Sequence, residues 1–157
     1  MMQISWPEKY SPERTRVHVK NELDMPANPE VVWAWLVRAK LWPSWYPNSA
    51  NVVIEGGGQD LGPQTRFRWK TFGVTLDSKV REFVPSERLA WDALAMGIDA
   101  YHVWLIEGTA GGCHVLTEET QNGWLAALSN TLRPTNMCVK HQAWLEGLLS
   151  KSRTGPP

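Results

Sequence analysis

Four groups of side chains in this 157-residue sequence are of types that do chemistry. Cys138 and His141 stand three apart in a stretch of helical periodicity, hence on one face, and Cys113-His114 adds two further donors of the kinds zinc prefers. Adjacent residues on a strand point to opposite faces, so Cys113 and His114 do not converge on one ion. Structural zinc usually shows paired ligands at motif spacing, and none is present, so the expectation is two small buried thiols and no metal. Gly56-Gly57-Gly58 lacks the order of a phosphate-cradling loop, has no Lys-Ser/Thr after it and opens no helix, which makes it a hairpin turn. Nucleophilic catalysis has no signature either: there is no G-x-S-x-G, and neither cysteine has the flanks of a thiol enzyme. The run Arg66-Phe67-Arg68-Trp69-Lys70 puts three cations on one strand face and two aromatics on the other, the pattern of a solvated exterior over a core. What remains are His102, Trp104 and Ile106 at alternate positions of one apolar run, and Val115, Thr117, Glu119 and Gln121 at alternate positions of the next.

The composition narrows the partners. Sixteen Lys+Arg balance sixteen Asp+Glu, and zero net charge removes the electrostatic footprint of a nucleic-acid or anionic-membrane binder. No order of charged, apolar and small residues marks a signal peptide, and two cysteines make no disulfide framework, so cytoplasm is the expected compartment. The densest apolar run, Val31 to Val37, falls far short of the roughly 20 residues of a membrane span, which argues against stable membrane insertion. No cofactor motif is present. Ten Trp against three Phe and three Tyr is the outstanding bias, and indoles serve both as core and as the walls of ligand cavities.

These residues need elements to hold them. Residues 1–16 and 150–157, with scattered prolines and charges, read as tails frayed or draped over one domain, residues 17–149. Val17 to Met25 alternates as a half-buried strand, and Asn28-Pro29-Glu30 supplies an N-cap, a first-turn proline and an acid for a helix over about 29–38. Trp42 to Trp45 adds at most one more turn before Pro47. From Asn51 onward six β-rich runs are separated by turn chemistry, an antiparallel meander. A long helix kinked at Arg133-Pro134 closes the chain, with Leu125, Leu128 and Leu132 before the kink and Met137, His141, Trp144, Leu145 and Leu148 after it. The terminal helix is the only element long enough to cover such a sheet. Curvature holds the two apart at the middle and leaves a cavity.

Three stretches carry a family resemblance: Met25 to Trp33; Trp42-Pro43-Ser44-Trp45-Tyr46-Pro47; and Val80 to Trp91, with its Pro85-Ser86-Glu87-Arg88-Leu89 core. With His102 to Glu107 and Glu119 to Gly123 as sixth and seventh strands, the chain resembles the SRPBCC superfamily, the START-related and polyketide cyclase/dehydrase-like proteins, over residues 17–149. The resemblance implies an α+β helix-grip fold: a curved antiparallel sheet of about seven strands wrapped around a long C-terminal helix, with short helices between strands 1 and 2. It does not select a function, because one scaffold serves many.

If the superfamily's register holds, His102, Glu119 and Gln121 face the terminal helix among Trp69, Trp91, Trp104 and Trp124. The implied ligand-binding set is then Trp69, Trp91, His102, Trp104, Thr117, Glu119, Gln121, Trp124, Leu128 and His141. Two readings of the polar pair stand side by side. In one, His102 and Glu119 meet a ligand in an aromatic cavity. In the other, Glu119 caps or pairs with the terminal helix and His102 is a satisfied core residue. Tyr101, Val103 and Leu105, on the other face of the sixth strand, are nearly as apolar, so pattern alone does not choose the inward face. The functional expectation is carriage or sequestration of a small hydrophobic or aromatic molecule by a monomer or homodimer, without cofactor. The alternatives are a polyketide cyclase/aromatase-like enzyme using His102 and Glu119 for acid–base chemistry, and a chaperone-activator-type interaction module.

Overall fold

A computed structural model describes residues 3–157. Strand β1 (Val17–Met25) leads through α1 (Pro29–Val37), a 3-10 turn and the single-turn α2 (Trp42–Trp45) to β2 (Ser49–Ile54). The meander follows as β3 (Arg66–Thr71), β4 (Val74–Val84), β5 (Arg88–Ala95), β6 (Ile98–Thr109) and β7 (Gly112–Asn122). All seven strands form one antiparallel sheet in the order β1-β7-β6-β5-β4-β3-β2. Register shifts in β2 between Ala50 and Val53, and in β4 between Val80 and Glu82, bend the sheet as bulges do. No helix among the described residues is long and apolar enough to cross a membrane.

Local chemistry accounts for the elements. The Asn28 side chain accepts the Glu30 N–H at 2.9 Å and Pro29 occupies the first turn, so α1 starts where its cap dictates. The β3 cations are exposed, with Arg68 paired to Asp77 across the ladder at 2.7 Å, while Phe67 and Trp69 are buried. The Gly56-Gly57-Gly58 run is not a tight hairpin turn. It opens a loop over residues 55–65 that tucks Leu61 into the core, where its N–H donates to the Val37 carbonyl at 2.7 Å.

The expected kinked terminal helix is two helices. Arg133-Pro134-Thr135 separates α3 (Trp124–Leu132) from α4 (Asn136–Ser152), because proline supplies no N–H to carry the ladder through. Helix α4 crosses the concave face between α1 and β1 and extends three residues past Leu149, into the expected tail. Beyond it the chain is tied down: the Trp35 indole N–H donates to the Gly155 carbonyl at 2.7 Å. Of the two thiols expected to be buried, Cys113 is buried and Cys138 is exposed. The first turn of α4 sits over edge strand β1, where Asn21 Nδ2 meets the Cys138 carbonyl at 3.2 Å.

Both sheet faces are covered, which explains the two apolar faces of β6. His102, Trp104 and Ile106 face the helices, whereas Tyr101, Val103 and Leu105 face outward beneath Ile4, Trp6 and Tyr10. Tyr10 stacks on Tyr101 at 5.0 Å and donates its hydroxyl to Asp99 at 2.6 Å. The main core is built of indoles, eight of the ten being buried. Trp42, fully buried, touches Phe67, Trp69, Trp91 and Trp144 with ring centroids 5.2–6.0 Å apart and donates to the Leu36 carbonyl at 2.9 Å.

This packing makes two outcomes measurable. In an open helix Gly→Ala stabilises by up to about 1 kcal/mol. At Gly147, however, a Cβ would sit 2.6 Å from the Trp45 carbonyl oxygen, a backbone atom that cannot swing aside. Gly147→Ala should therefore lower stability, by about 1–3 kcal/mol as for other overpacked sites, in denaturant melts. The second concerns Tyr10, whose phenol is pushed up to about 12 by burial and by its hydrogen bond to Asp99. A raised folded-state value means that its contribution is whole below the unfolded value near 10 and is lost as pH rises toward 12. Alkaline melts should show that loss in the wild-type chain and a shallower one in Tyr10→Phe.

Candidate functional site

The register of the last two strands builds the site. His102 on β6 lies opposite Glu119 on β7, and Trp104 lies opposite Thr117. Adjacent same-face positions then let one imidazole reach both β7 side chains. His102 Nε2 is 2.7 Å from Thr117 Oγ1, and its Nδ1 is 2.9 Å from Glu119 Oε2. From α4, His141 brings Nε2 to within 3.1 Å of the same carboxylate oxygen, and Gln121 Nε2 donates to Oε1 at 2.6 Å. All are buried: His102 is 2% exposed, His141 1% and Glu119 8%.

An ionised carboxylate only accepts hydrogen bonds, so both facing nitrogens carry protons, and His102 Nε2 is left to accept the Thr117 hydroxyl. Burial by itself would raise the Glu119 carboxyl. The facing His102 and His141 imidazoles outweigh it and hold the group well below the usual carboxylate range. Burial pushes His102 below its ordinary value, against the pull of Glu119. The site therefore presents a charged carboxylate gripped by N–H donors. Thr117, His102 and Glu119 reproduce the hydroxyl–imidazole–carboxylate order of a hydrolytic triad, but Thr117 is fully buried and lies off the cavity wall. Its hydroxyl fixes the imidazole and meets no substrate.

Beside this cluster is a cavity of about 210 Å³. Trp69, Leu76, Trp91 and Ala93 form its floor on the sheet, Leu125, Ala126 and Ser129 of α3 roof it, and Met137, His141 and Trp144 of α4 close one side. The indole N–H groups of Trp91 and Trp144, and Nδ1 of His141, are buried with no hydrogen-bond partner among the described residues.

Of the residues expected to line a cavity, the structure brings Trp69, Trp91, His102, Glu119, Gln121 and His141 to this wall. It does not bring the other four. Thr117 and Trp104 are buried behind it, Trp104 stacked on His102 at 5.6 Å. Trp124 and Leu128 are 60% and 48% exposed, because the inward face of α3 runs through Leu125, Ala126 and Ser129 and shares only Leu125 with the stripe of leucines. The two readings of Glu119 merge, since it pairs with the terminal helix through His141 and also borders the cavity. Sequence reasoning missed Trp144. The signal was there, three residues after His141 on the same apolar face of α4.

The family model described as polyketide cyclase / dehydrase and lipid transport matches residues 16–148. The chain belongs to this family. Among solved structures, the hypothetical protein jhp0584 from Helicobacter pylori is 34% identical, each chain covering 97% of the other, with a TM-score of 0.90. TTHA0849 from Thermus thermophilus is 18% identical, with 88% of this chain and 98% of that one covered and a TM-score of 0.69. The di-domain ARO/CYC protein StfQ from the steffimycin biosynthetic pathway is 15% identical over 88% of this chain and 51% of its own, with a TM-score of 0.71. No curated protein matches the chain. In this member of the polyketide cyclase/dehydrase and lipid transport family, the helix-grip sheet carries an inward row of His102, Thr117 and Glu119, with His141 facing it from α4.

Removing the orienting hydroxyl tests whether Thr117 holds His102. Thr117→Val keeps the side-chain shape but leaves a buried imidazole nitrogen without its donor, which should cost about 1–3 kcal/mol in denaturant melts. The His102 ring nitrogens should shift in NMR spectra as the imidazole loses its fixed tautomer.

Proposed function

We propose that this chain binds, for carriage or sequestration, a small aromatic or otherwise apolar molecule bearing one polar group. The observation that carries this reading is the cavity: aromatic floor, a charged polar cluster on one wall, and unpartnered indole N–H groups around it. Its apolar surfaces suit a ring, and the Glu119 cluster with the free N–H groups suits the ring's polar substituent. Size narrows the class. At about 210 Å³ the cavity exceeds the roughly 150 Å³ that holds benzene and falls below the roughly 300–1,000 Å³ of pockets for drug-sized ligands. A one- or two-ring molecule fits, and a long acyl chain or extended polyketide fits only if α3 moves away. An aromatic-floored cavity with a polar cluster on one wall favours ligand binding over the chaperone-activator reading, which calls for an exposed apolar surface.

One observation favours acid–base chemistry as the second reading. Glu119 holds two imidazoles at once, and an imidazole whose N–H is held by a carboxylate is a stronger base at its other nitrogen. StfQ, and BexL from the BE-7585A biosynthetic pathway, are ARO/CYC proteins of this fold, at 15% and 17% identity.

Native mass spectrometry of freshly purified protein should find a retained molecule of the one- or two-ring class. Phenol, indole and 1-naphthol, titrated in turn, should quench tryptophan fluorescence and raise the melting temperature. The gain is about 2.7 kcal/mol at a ligand concentration of 100 times the dissociation constant. Ala126→Phe, which fills the roof, should abolish both effects while the protein still melts cooperatively. Recovery of the bound molecule unchanged after incubation supports carriage, and its conversion to a new mass supports the enzyme. No quenching and no thermal shift across the panel would overturn the proposal.

A further inference from the structure

Two imidazoles and a carboxylate, from three different elements, converge on one point at the edge of the cavity. We propose that His102, Glu119 and His141 form a binding site for a divalent transition-metal cation of the zinc class, with its remaining coordination positions open toward the cavity. This goes beyond the ligand-binding reading and does not depend on it.

The distances fit. Donor atoms bound to one cation at about 2.0–2.2 Å stand about 3.0–3.5 Å from one another at tetrahedral or octahedral angles. Glu119 Oε2 is already 2.9 Å from His102 Nδ1 and 3.1 Å from His141 Nε2, and the three donor atoms all lie within 4.8 Å of one another. The donor set is the mixture of nitrogen and oxygen that zinc and its neighbours take, and three protein ligands leave room for a further one from the cavity.

The surroundings fit as well. Metal-bound histidines commonly donate their second ring nitrogen to an oriented acceptor, and ligating carboxylates are themselves hydrogen-bonded. His102 has Thr117 Oγ1 at 2.7 Å from Nε2, and Glu119 Oε1 has the Gln121 amide at 2.6 Å. On binding, the His102 proton would move from Nδ1 to Nε2 and be donated to Thr117 Oγ1, whose own hydroxyl proton turns away from the ring, and the His141 proton would move from Nε2 to the unpartnered Nδ1, so both imidazoles stay neutral. His141 has one polar contact, through Nε2, and no other hydrogen bond pins its ring as it turns toward a cation. Buried charges in proteins are paired or coordinate metals. Among the described residues no lysine or arginine pairs with Glu119, so a dication would meet a carboxylate that lacks a full counter-charge.

The test uses tag-free protein stripped with EDTA and titrated with Zn²⁺ and, separately, Co²⁺. The expected result is one equivalent bound, a rise in melting temperature because the ion ties α4 to β6 and β7, and visible Co²⁺ bands of a low-symmetry site containing nitrogen. Glu119→Gln and His141→Gln should abolish the tight site, and Thr117→Val should weaken it about 10-fold or more. His114→Ala, on the surface beside Asp24, should leave it unchanged. Should the buried variants fail to fold, imidazole nitrogen NMR of the wild-type protein decides. Zn²⁺ must shift His102 Nδ1 and His141 Nε2 and leave His18 and His114 in place. Absence of a one-to-one complex, or shifts confined to His18 and His114, overturns the proposal. A protein that binds 1-naphthol but no Zn²⁺ overturns the metal site alone.

Discussion

A carboxylate cannot sit 8% exposed in a protein interior unless donors surround it, and that requirement at Glu119 organises the concave side of this fold. Its donors come from β6, from its own strand β7 and from α4. The ladder between β6 and β7 delivers His102 by register alone. The donor from α4 arrives only if the helix is rotated and placed so that His141 faces the sheet. The polar cluster thus sets the angular position of α4 in a way that indoles, tolerant of small shifts, do not.

Aromatic packing supplies the other half of that arrangement. Trp144, one turn after His141, stacks on Tyr46 with centroids 4.5 Å apart and ring planes within 2°, and Trp42 meets its edge at 5.2 Å. Gly147, one turn further on, brings α4 against the Trp45 carbonyl. Three successive turns of one helix therefore read a histidine against the sheet, an indole against the aromatic core and a bare backbone against α2. A helix held at three points cannot also collapse onto the middle of a curved sheet, and the space between them persists as the cavity.

Most of the fold was legible in the sequence, and the reason lies in how local its signals are. Strand β1 alternates, α1 has its own cap, and each meander strand ends at turn chemistry of its own. What was not legible depends on distant segments meeting. The outer face of β6 read as a second candidate core face because its cover, Ile4, Trp6 and Tyr10, lies in a stretch without periodicity. Leu128 read as inward from the leucine spacing and Trp124 from the superfamily's register, while the inward face of α3 carries Ala126 and Ser129, residues with little apolar signal of their own. The meeting of His102, Glu119 and His141 escaped the search for metal ligands for the same reason. Sequence motifs reveal ligands that are neighbours along the chain, and these three are brought together by a strand pairing and a helix crossing.

The break at Pro134 gives the site its remaining property. A continuous helix over residues 124–152 would be held at every turn by α4's contacts, and its first turns would be as fixed as its last. With the ladder interrupted, α3 is a separate nine-residue helix. Its start is anchored where Leu125 and Ala126 donate to the Gly97 carbonyl at 3.0 and 3.3 Å, and at Gly123, with φ +106°, that same carbonyl oxygen fills the place a Cβ would take. Its far end, at Leu132, is 71% exposed, and only Ala126 along its length is buried. Local stability follows buried contact, so α3, with one buried residue, is the least firmly packed part of the cavity wall. The element that roofs the cavity is thereby separate from the element that orients its polar cluster: α3 supplies the roof, and α4 holds His141 against Glu119.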